Sequence, residues 1–143
     1  MINEIINGIS MKLNQAFGDD VEIYDNEVKQ GLNPPCFLIG VINPSQKQFI
    51  GQRYKRDNPF DVKYFPSEAG GIAECHDVAS RLFVEMSLIT LTNGDRLKAT
   101  SMSYEVVDGV LHFFVSFNVI VRPVEAPKDN EMGSISTTTD MKG

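Results

Sequence analysis

The fold is read outward from residues 97–123, LKATSMSYEVVDGVLHFFVSFNVIVRP. Near its centre, Asp108-Gly109 is the signal of a two-residue hairpin turn of the primed type, whose twist matches that of paired strands. The signal predicts two antiparallel strands, Leu97 to Val107 and Val110 to Pro123. A two-residue loop also sets the register. Val107 falls opposite Val110, Val106 opposite Leu111, Tyr104 opposite Phe113, Met102 opposite Val115 and Thr100 opposite Phe117. The pairs from Val106–Leu111 to Thr100–Phe117 make one apolar face, which Val119 and Val121 extend. The other face carries Glu105 opposite His112 and Ser101 opposite Ser116, so His112 is expected in a solvated cross-strand pair with Glu105. Side chains alternate across a strand, so one face is core and the other is wet or an interface. Phe114 and Ile120 depart from the polar pattern and are candidates to meet a neighbouring subunit.

The apolar face of this hairpin needs a cover, and two segments supply it. Ile2, Ile5, Ile6, Ile9, Leu13, Ala16 and Phe17 recur at helical spacing, and Gly18 marks the stop. The polar side of this helix is acidic or neutral apart from Lys12, which argues for packing on the protein's own sheet over lying on a membrane. Ile72, Cys75, Val78, Ala79, Leu82, Phe83, Met86 and Ile89 form a second helical stripe. Glu74, Asp77, Ser80, Arg81 and Glu85 lie on its polar side, with Asp77 and Arg81 spaced as a supporting pair.

Between the helices, Val21 to Tyr24, Cys36 to Ile42, Gln48 to Tyr54 and Val62 to Phe65 read as strands. Asn43-Pro44-Ser45, the polar run Lys55 to Pro59, and Asn93-Gly94 read as turns or linkers. The expected architecture is α/β (α+β): a mixed, mainly antiparallel sheet, two amphipathic helices packed on one face, and a long C-terminal hairpin. Residues 1–124 form a single domain. Residues 125–143 lack aromatics, end in a Ser/Thr run and are expected to be a flexible polar tail, or an arm that orders on assembly.

The 143 residues are 42% hydrophobic and 22% charged, the composition of an ordinary globular domain that needs neither disulfide nor metal to fold. No apolar run reaches the roughly 18 residues of a membrane span. Glu4 stands where a signal peptide requires a basic start, so export by that route is not expected. The net charge of −6 argues against nonspecific duplex binding by the whole chain. The charge is uneven, however. Residues 1–35 are acidic, whereas residues 47–63 hold Lys47, Arg53, Lys55, Arg56 and Lys63 against Asp57 and Asp61.

No catalytic constellation is present, and no cofactor is implied. His76 and Cys75 are adjacent on a helix and point about 100° apart, so they cannot share a metal. There is no CxxC or HxxxH spacing, no GxGxxG, no phosphate loop and no GxSxG. Cys36 sits in an apolar strand and reads as a small core residue. Asp19-Asp20 reads as a solvated turn. Gln52-Arg53-Tyr54-Lys55-Arg56 interleaves bases with one aromatic. That leaves a nucleic-acid-binding regulator as a lesser alternative, because one tyrosine is a thin stacking platform.

Several short stretches, in order, carry a resemblance. They are the opening Met1 to Ile5, Glu27 to Gly31 with Pro35-Cys36-Phe37, Asn43 to Phe49, Arg53-Tyr54, Asn58-Pro59-Phe60-Asp61, Tyr64-Phe65-Pro66, and Tyr104 to Phe113. Together they resemble phage tail terminators, and more narrowly the small terminator-like proteins of defective prophages and contractile phage-tail-like particles. Gly70-Gly71 departs from the more polar residues expected before the second helix. The resemblance implies a structural protein that forms a ring, usually a hexamer, on the end of the tail tube. Such a ring stops tube polymerisation, offers a joining surface to head-connector and sheath proteins, and lets DNA pass without specific binding. It implies assembly in the bacterial cytoplasm into a virion or phage-tail-like particle. A neck or connector adaptor of the same assembly is the alternative. The candidate surface for contact with other copies or with the tube is Lys47, Gln52, Arg53, Tyr54, Lys55, Arg56 and Phe60, together with Phe114 and Ile120.

Overall fold

The computed structural model describes residues 1–25, 31–124 and 136–140. It has the expected α+β character. Helix α1 (Ile2–Phe17) leads into β1 (Glu22–Tyr24) and β2 (Cys36–Val41). A short pair, β3 (Ser45–Gln48) and β4 (Tyr54–Asp57), precedes β5 (Pro59–Phe65) and helix α2 (Gly71–Glu85). Then come β6 (Leu88–Thr90), β7 (Arg96–Lys98), β8 (Ser101–Val107), β9 (Val110–Ser116), β10 (Val119–Val124) and β11 (Ser136–Asp140).

The C-terminal hairpin has the register its turn predicts. Val107 opposes Val110, Tyr104 opposes Phe113 and Met102 opposes Val115. Asp108 and Gly109 both take positive φ, 52° and 76°, as a type I′ turn requires. Asn93-Gly94 likewise makes the tight connection between β6 and β7, with Gly94 N–H donating to the Leu91 carbonyl at 2.9 Å.

The single sheet of the sequence reading is divided. One sheet has the order β1-β2-β5-β9-β8, a second β11-β10-β4-β3, and β6-β7 stand apart. Only β1 and β2 run parallel; the other pairs are antiparallel. The expected long strands are therefore broken. Val110 to Pro123 parts after Ser116, and Leu97 to Val107 parts at Ala99-Thr100, where Ala99 N–H donates to Ser87. The expected strand Gln48 to Tyr54 straddles a turn, and the expected linker Lys55 to Pro59 is mostly strand.

The division is a bend in one ladder. Pro59 opposes Ser116 at the end of the β5–β9 pairing, and Arg56 opposes Val119 at the start of the β4–β10 pairing. Two residues separate the pairings on each side, Asp57-Asn58 and Phe117-Asn118, so the register passes the bend unslipped. Asn58 holds the corner. Its carbonyl accepts from Phe117 N–H at 3.0 Å, and its side-chain amide donates to the Phe117 carbonyl at 2.9 Å. Asn58 is buried there, so its amide answers a polar group that would otherwise be orphaned.

Both helices cover the face that carries Phe37, Val62, Tyr64 and Phe113. Phe17 of α1 packs on Phe37 with ring centroids 5.0 Å apart, and Phe83 of α2 packs on Phe113 at 5.2 Å. The core joins Ile5, Ile9 and Leu13 to Leu82, Met86, Ile89, Leu111, Val115 and Phe117, with Val119 and Val121 from beyond the bend. Cys36 is buried as expected, and burial raises its thiol pKa. Three members of the second stripe depart from expectation: Ile72 and Phe83 are exposed, and Ile89 lies in β6. Arg81 does not serve an Asp77 pair. It donates to the Ala16 carbonyl at the end of α1 and stacks 4.1 Å from the centre of the Phe17 ring. That position suits a cation, because the last carbonyls of a helix are unpaired and carry partial negative charge.

The glycine pair before α2 has a steric reason. Glu74 accepts from Tyr64 Oη and Ser67 Oγ, both at 2.7 Å, and from Ser67 N–H at 2.9 Å. A Cβ at residue 70 would stand 1.9 Å from Glu74 Oε1, so only glycine leaves the carboxylate its place. Burial pushes the Glu74 carboxyl pKa up, but the bonds from Tyr64 and Ser67 outweigh this and leave it below its ordinary value. Burial, reinforced by Glu74, pushes the Tyr64 pKa up.

Most of the expected C-terminal tail, 125–135 and 141–143, lies outside the described residues. Ser136–Asp140 is a strand, not a free tail, and pairs antiparallel with β10.

Candidate assembly surface

The β3–β4 hairpin projects most of the basic residues singled out in the sequence. Phe49 N–H donates to the Arg53 carbonyl at 2.8 Å, and Arg53 N–H donates to Ile50 at 3.0 Å, closing a four-residue turn over 50–53. Gly51 occupies its first central position with φ 61°, a conformation that side chains resist and the II′ hairpin turn needs. The turn lifts Phe49 and Ile50 to the tip, where they are 48% and 68% exposed. All of β3 is exposed.

Pairing sorts the hairpin's two faces. Tyr54 and Arg56 oppose the buried Val121 and Val119, so they lie on the core side, and Arg56 Nε donates to Gln46 Oε1 at 2.6 Å. Lys55 lies on the outer side, directly opposite Lys47 on one neighbour and Ile120 on the other. Two like charges directly opposed cost roughly 0.2–1 kcal/mol in an isolated sheet. No ion pair among the described residues uses Lys47, Arg53, Lys55 or Arg56. Gln52 is exposed in the turn.

Two of the candidates stand elsewhere. Phe60 is fully buried and packs edge-on against Phe117 at 6.3 Å. Expected on the surface and ahead of the strand Val62 to Phe65, it belongs to β5, where the alternation Phe60, Val62, Tyr64 faces the core. Phe60 therefore leaves the candidate surface. Phe114 is half-buried on the outer face of the larger sheet, opposite Asp61 and Ser103 and away from the hairpin tip.

Beside Phe114, Asp61 gathers a lysine and a histidine. Its Oδ2 lies 3.0 Å from Lys63 Nζ and 3.1 Å from His112 Nδ1. His112 does sit opposite Glu105 in register, but its hydrogen-bond partner is Asp61 on the other neighbouring strand. This corrects the expected His112–Glu105 pair, because Asp61 is the more enclosed carboxylate. The trio ties β5 to β9. No group of three or more metal-ligating side chains occurs among the described residues. No helix among them is long and apolar enough to cross a membrane.

The acidic part of the molecule forms a second feature. A groove of about 600 Å³ runs between α1 and the edge strand β1, lined by Met11, Asn14, Asp19, Val21, Glu22, Ile23 and Tyr24 among others. Asp19 accepts from Asn14 Nδ2 at 3.0 Å, and Glu22 accepts from Tyr24 Oη. Neither donor carries a charge. Charge asymmetry marked this region in the sequence, but its apolar floor was not read there. Nor were Phe49 and Ile50, although a glycine straight after two apolar residues inside a basic run is a visible sign of an apolar hairpin tip.

The family model for phage tail terminator proteins matches residues 4–129. The chain belongs to the phage tail terminator family. The match spans both helices and both hairpins, and it agrees with the resemblance read from the short stretches. The family is a structural one, and its members are parts of the phage tail. A search of curated proteins returned no match.

Proposed function

We infer that this tail terminator family member caps the tail tube as a ring, most simply a hexamer. The ring stops tube polymerisation and presents the surface on which head-connector proteins, and sheath proteins in a contractile tail, are joined. Family membership supports the tail role. The observation that carries the assembly role is the projecting β3–β4 hairpin, whose lysines and Arg53 use no ion pair among the described residues. Cations raised on an exposed hairpin and left unneutralised suit a contact with an acidic protein surface, where charge complementarity sets orientation and partner choice. DNA passes through such a ring without specific binding. Domain 1–124 is the capping unit in this reading, and the tail after it belongs to the assembled particle, built in the host cytoplasm.

The test is the mass in solution by light scattering, alone and after mixing with purified tail-tube subunit, together with tube lengths by electron microscopy. A ring, or tubes whose growth stops when the protein is added, is the expected result. A monomer that ignores the tube would move the assignment to a neck or connector adaptor. Salt-dependent oligonucleotide binding, lost in Arg53→Glu with Arg56→Glu, would move it to a regulator.

A further inference from the structure

Two surface features remain without an oppositely charged partner among the described residues. One is the hairpin tip, apolar at Phe49 and Ile50 and flanked by Lys47 and Arg53. The other is the α1–β1 groove, whose lining mixes Met11, Val21 and Ile23 with Asp19 and Glu22. Met11 is itself 47% exposed on the groove's rim.

We propose that the β3–β4 tip of one copy docks in the α1–β1 groove of the next copy. The inference rests on the ring reading and specifies its contact. Phe49 and Ile50 lie on Met11, Val21 and Ile23, and Lys47 and Arg53 face Asp19 and Glu22. Three observations select a second copy as the occupant. The surfaces match in kind, apolar on apolar and cation on carboxylate, and both halves of the match are present on this one chain. Among the described residues, the groove carboxylates are met by neutral donors only, and the hairpin cations form no ion pair. The two features are also distinct patches: β3 is an edge of the smaller sheet, and β1 is an edge of the larger one. A contact between two different patches is head-to-tail, so it generates a ring or a helix and not a two-fold dimer. Docking also brings carboxylates to the Lys47–Lys55 pair, whose repulsion stands uncompensated in the single chain.

The test uses the full chain with Phe49→p-benzoylphenylalanine, irradiated alone and on tail tubes, with cross-linked peptides mapped by mass spectrometry. The expected product joins position 49 to residues 10–24 of another copy. A product with the tube subunit, with another region of the chain, or no product at all overturns the docking. Light scattering on the same samples separates the two readings: a ring without the expected cross-link leaves the ring standing and removes this contact, whereas no assembly in either setting removes both. A charge swap supplies the second arm. Asp19→Lys with Glu22→Lys is expected to weaken self-association at least tenfold, and Lys47→Glu with Arg53→Glu likewise. Mixing the two variants is expected to restore assembly at the junctions between them. No loss in either variant, or no recovery in the mixture, overturns the proposal.

Discussion

The β5–β9 and β4–β10 pairings are two halves of one ladder with two different fates. Below the bend, Phe60, Val62, Phe113 and Val115 are closed off by the helices. Above it, β4 keeps Val119 and Val121 in the core through β10 alone, and its other neighbour, β3, is exposed throughout. Backbone pairing and register are the same in both halves. What differs is whether a helix lies across the face. Most sheet stability comes from the side chains a face buries, so the lower half holds the fold and the upper half is released for contact.

The largest expected effect tests the lower half. Phe113→Ala should cost about 3–5 kcal/mol in chemical denaturation, because it empties a site ringed by Phe83, Tyr104 and Val62. The same truncation at the tip, Phe49→Ala, should stay within about 0.5 kcal/mol while reducing self-association. Equal losses at the two positions would erase the contrast. The bend comes next. Asn58→Ala strips the buried Phe117 carbonyl of its side-chain donor and should cost about 1–3 kcal/mol. A loss near zero would mean that the corner holds without it.

Gly70→Ala should cost about 1–3 kcal/mol by driving Glu74 from its three bonds. The Glu74 carboxyl titrates below its ordinary value, so its contribution is present above the unfolded-state pKa and is lost as pH falls through the lower folded value. Thermal melts from neutral to acid pH should therefore show a decline that Glu74→Gln blunts. An unchanged acid limb in that variant would break the assignment. The smallest effect lies in the upper half. Lys47→Glu should stabilise the isolated chain by a few tenths of a kcal/mol, since it turns a like-charge pair into an opposite one. It should weaken assembly at the same time. A variant that is more stable yet less able to assemble is the sharpest form of the comparison.

Much of this arrangement was legible because it is local. A primed turn at Asp108-Gly109 constrains the residues on either side of it, so the β8–β9 register followed from two residues. The stripe of α1 followed from a period of 3.6, and the family from short stretches in order. Phe60 was misplaced because its strand begins at Pro59, inside a polar run whose pairing is with distant residues. Four of the candidate cations come together on the β3–β4 hairpin. Their sorting into an outer row, Lys47 and Lys55, and an inner Arg56 required knowing which strand lies beside β4.

By itself, then, the sequence determined the two helices, the turns at Asn93-Gly94 and Asp108-Gly109, the C-terminal register and the α+β class, since each depends on residues a few positions apart. Tertiary structure alone decided the bend at Asn58, the division into sheets, the choice of Asp61 over Glu105 for His112, and the reach of Arg81 to α1. Each of these is a competition between partners far apart in the chain. Such contests are settled by which group is buried beside which, and that is known only once the whole core has closed.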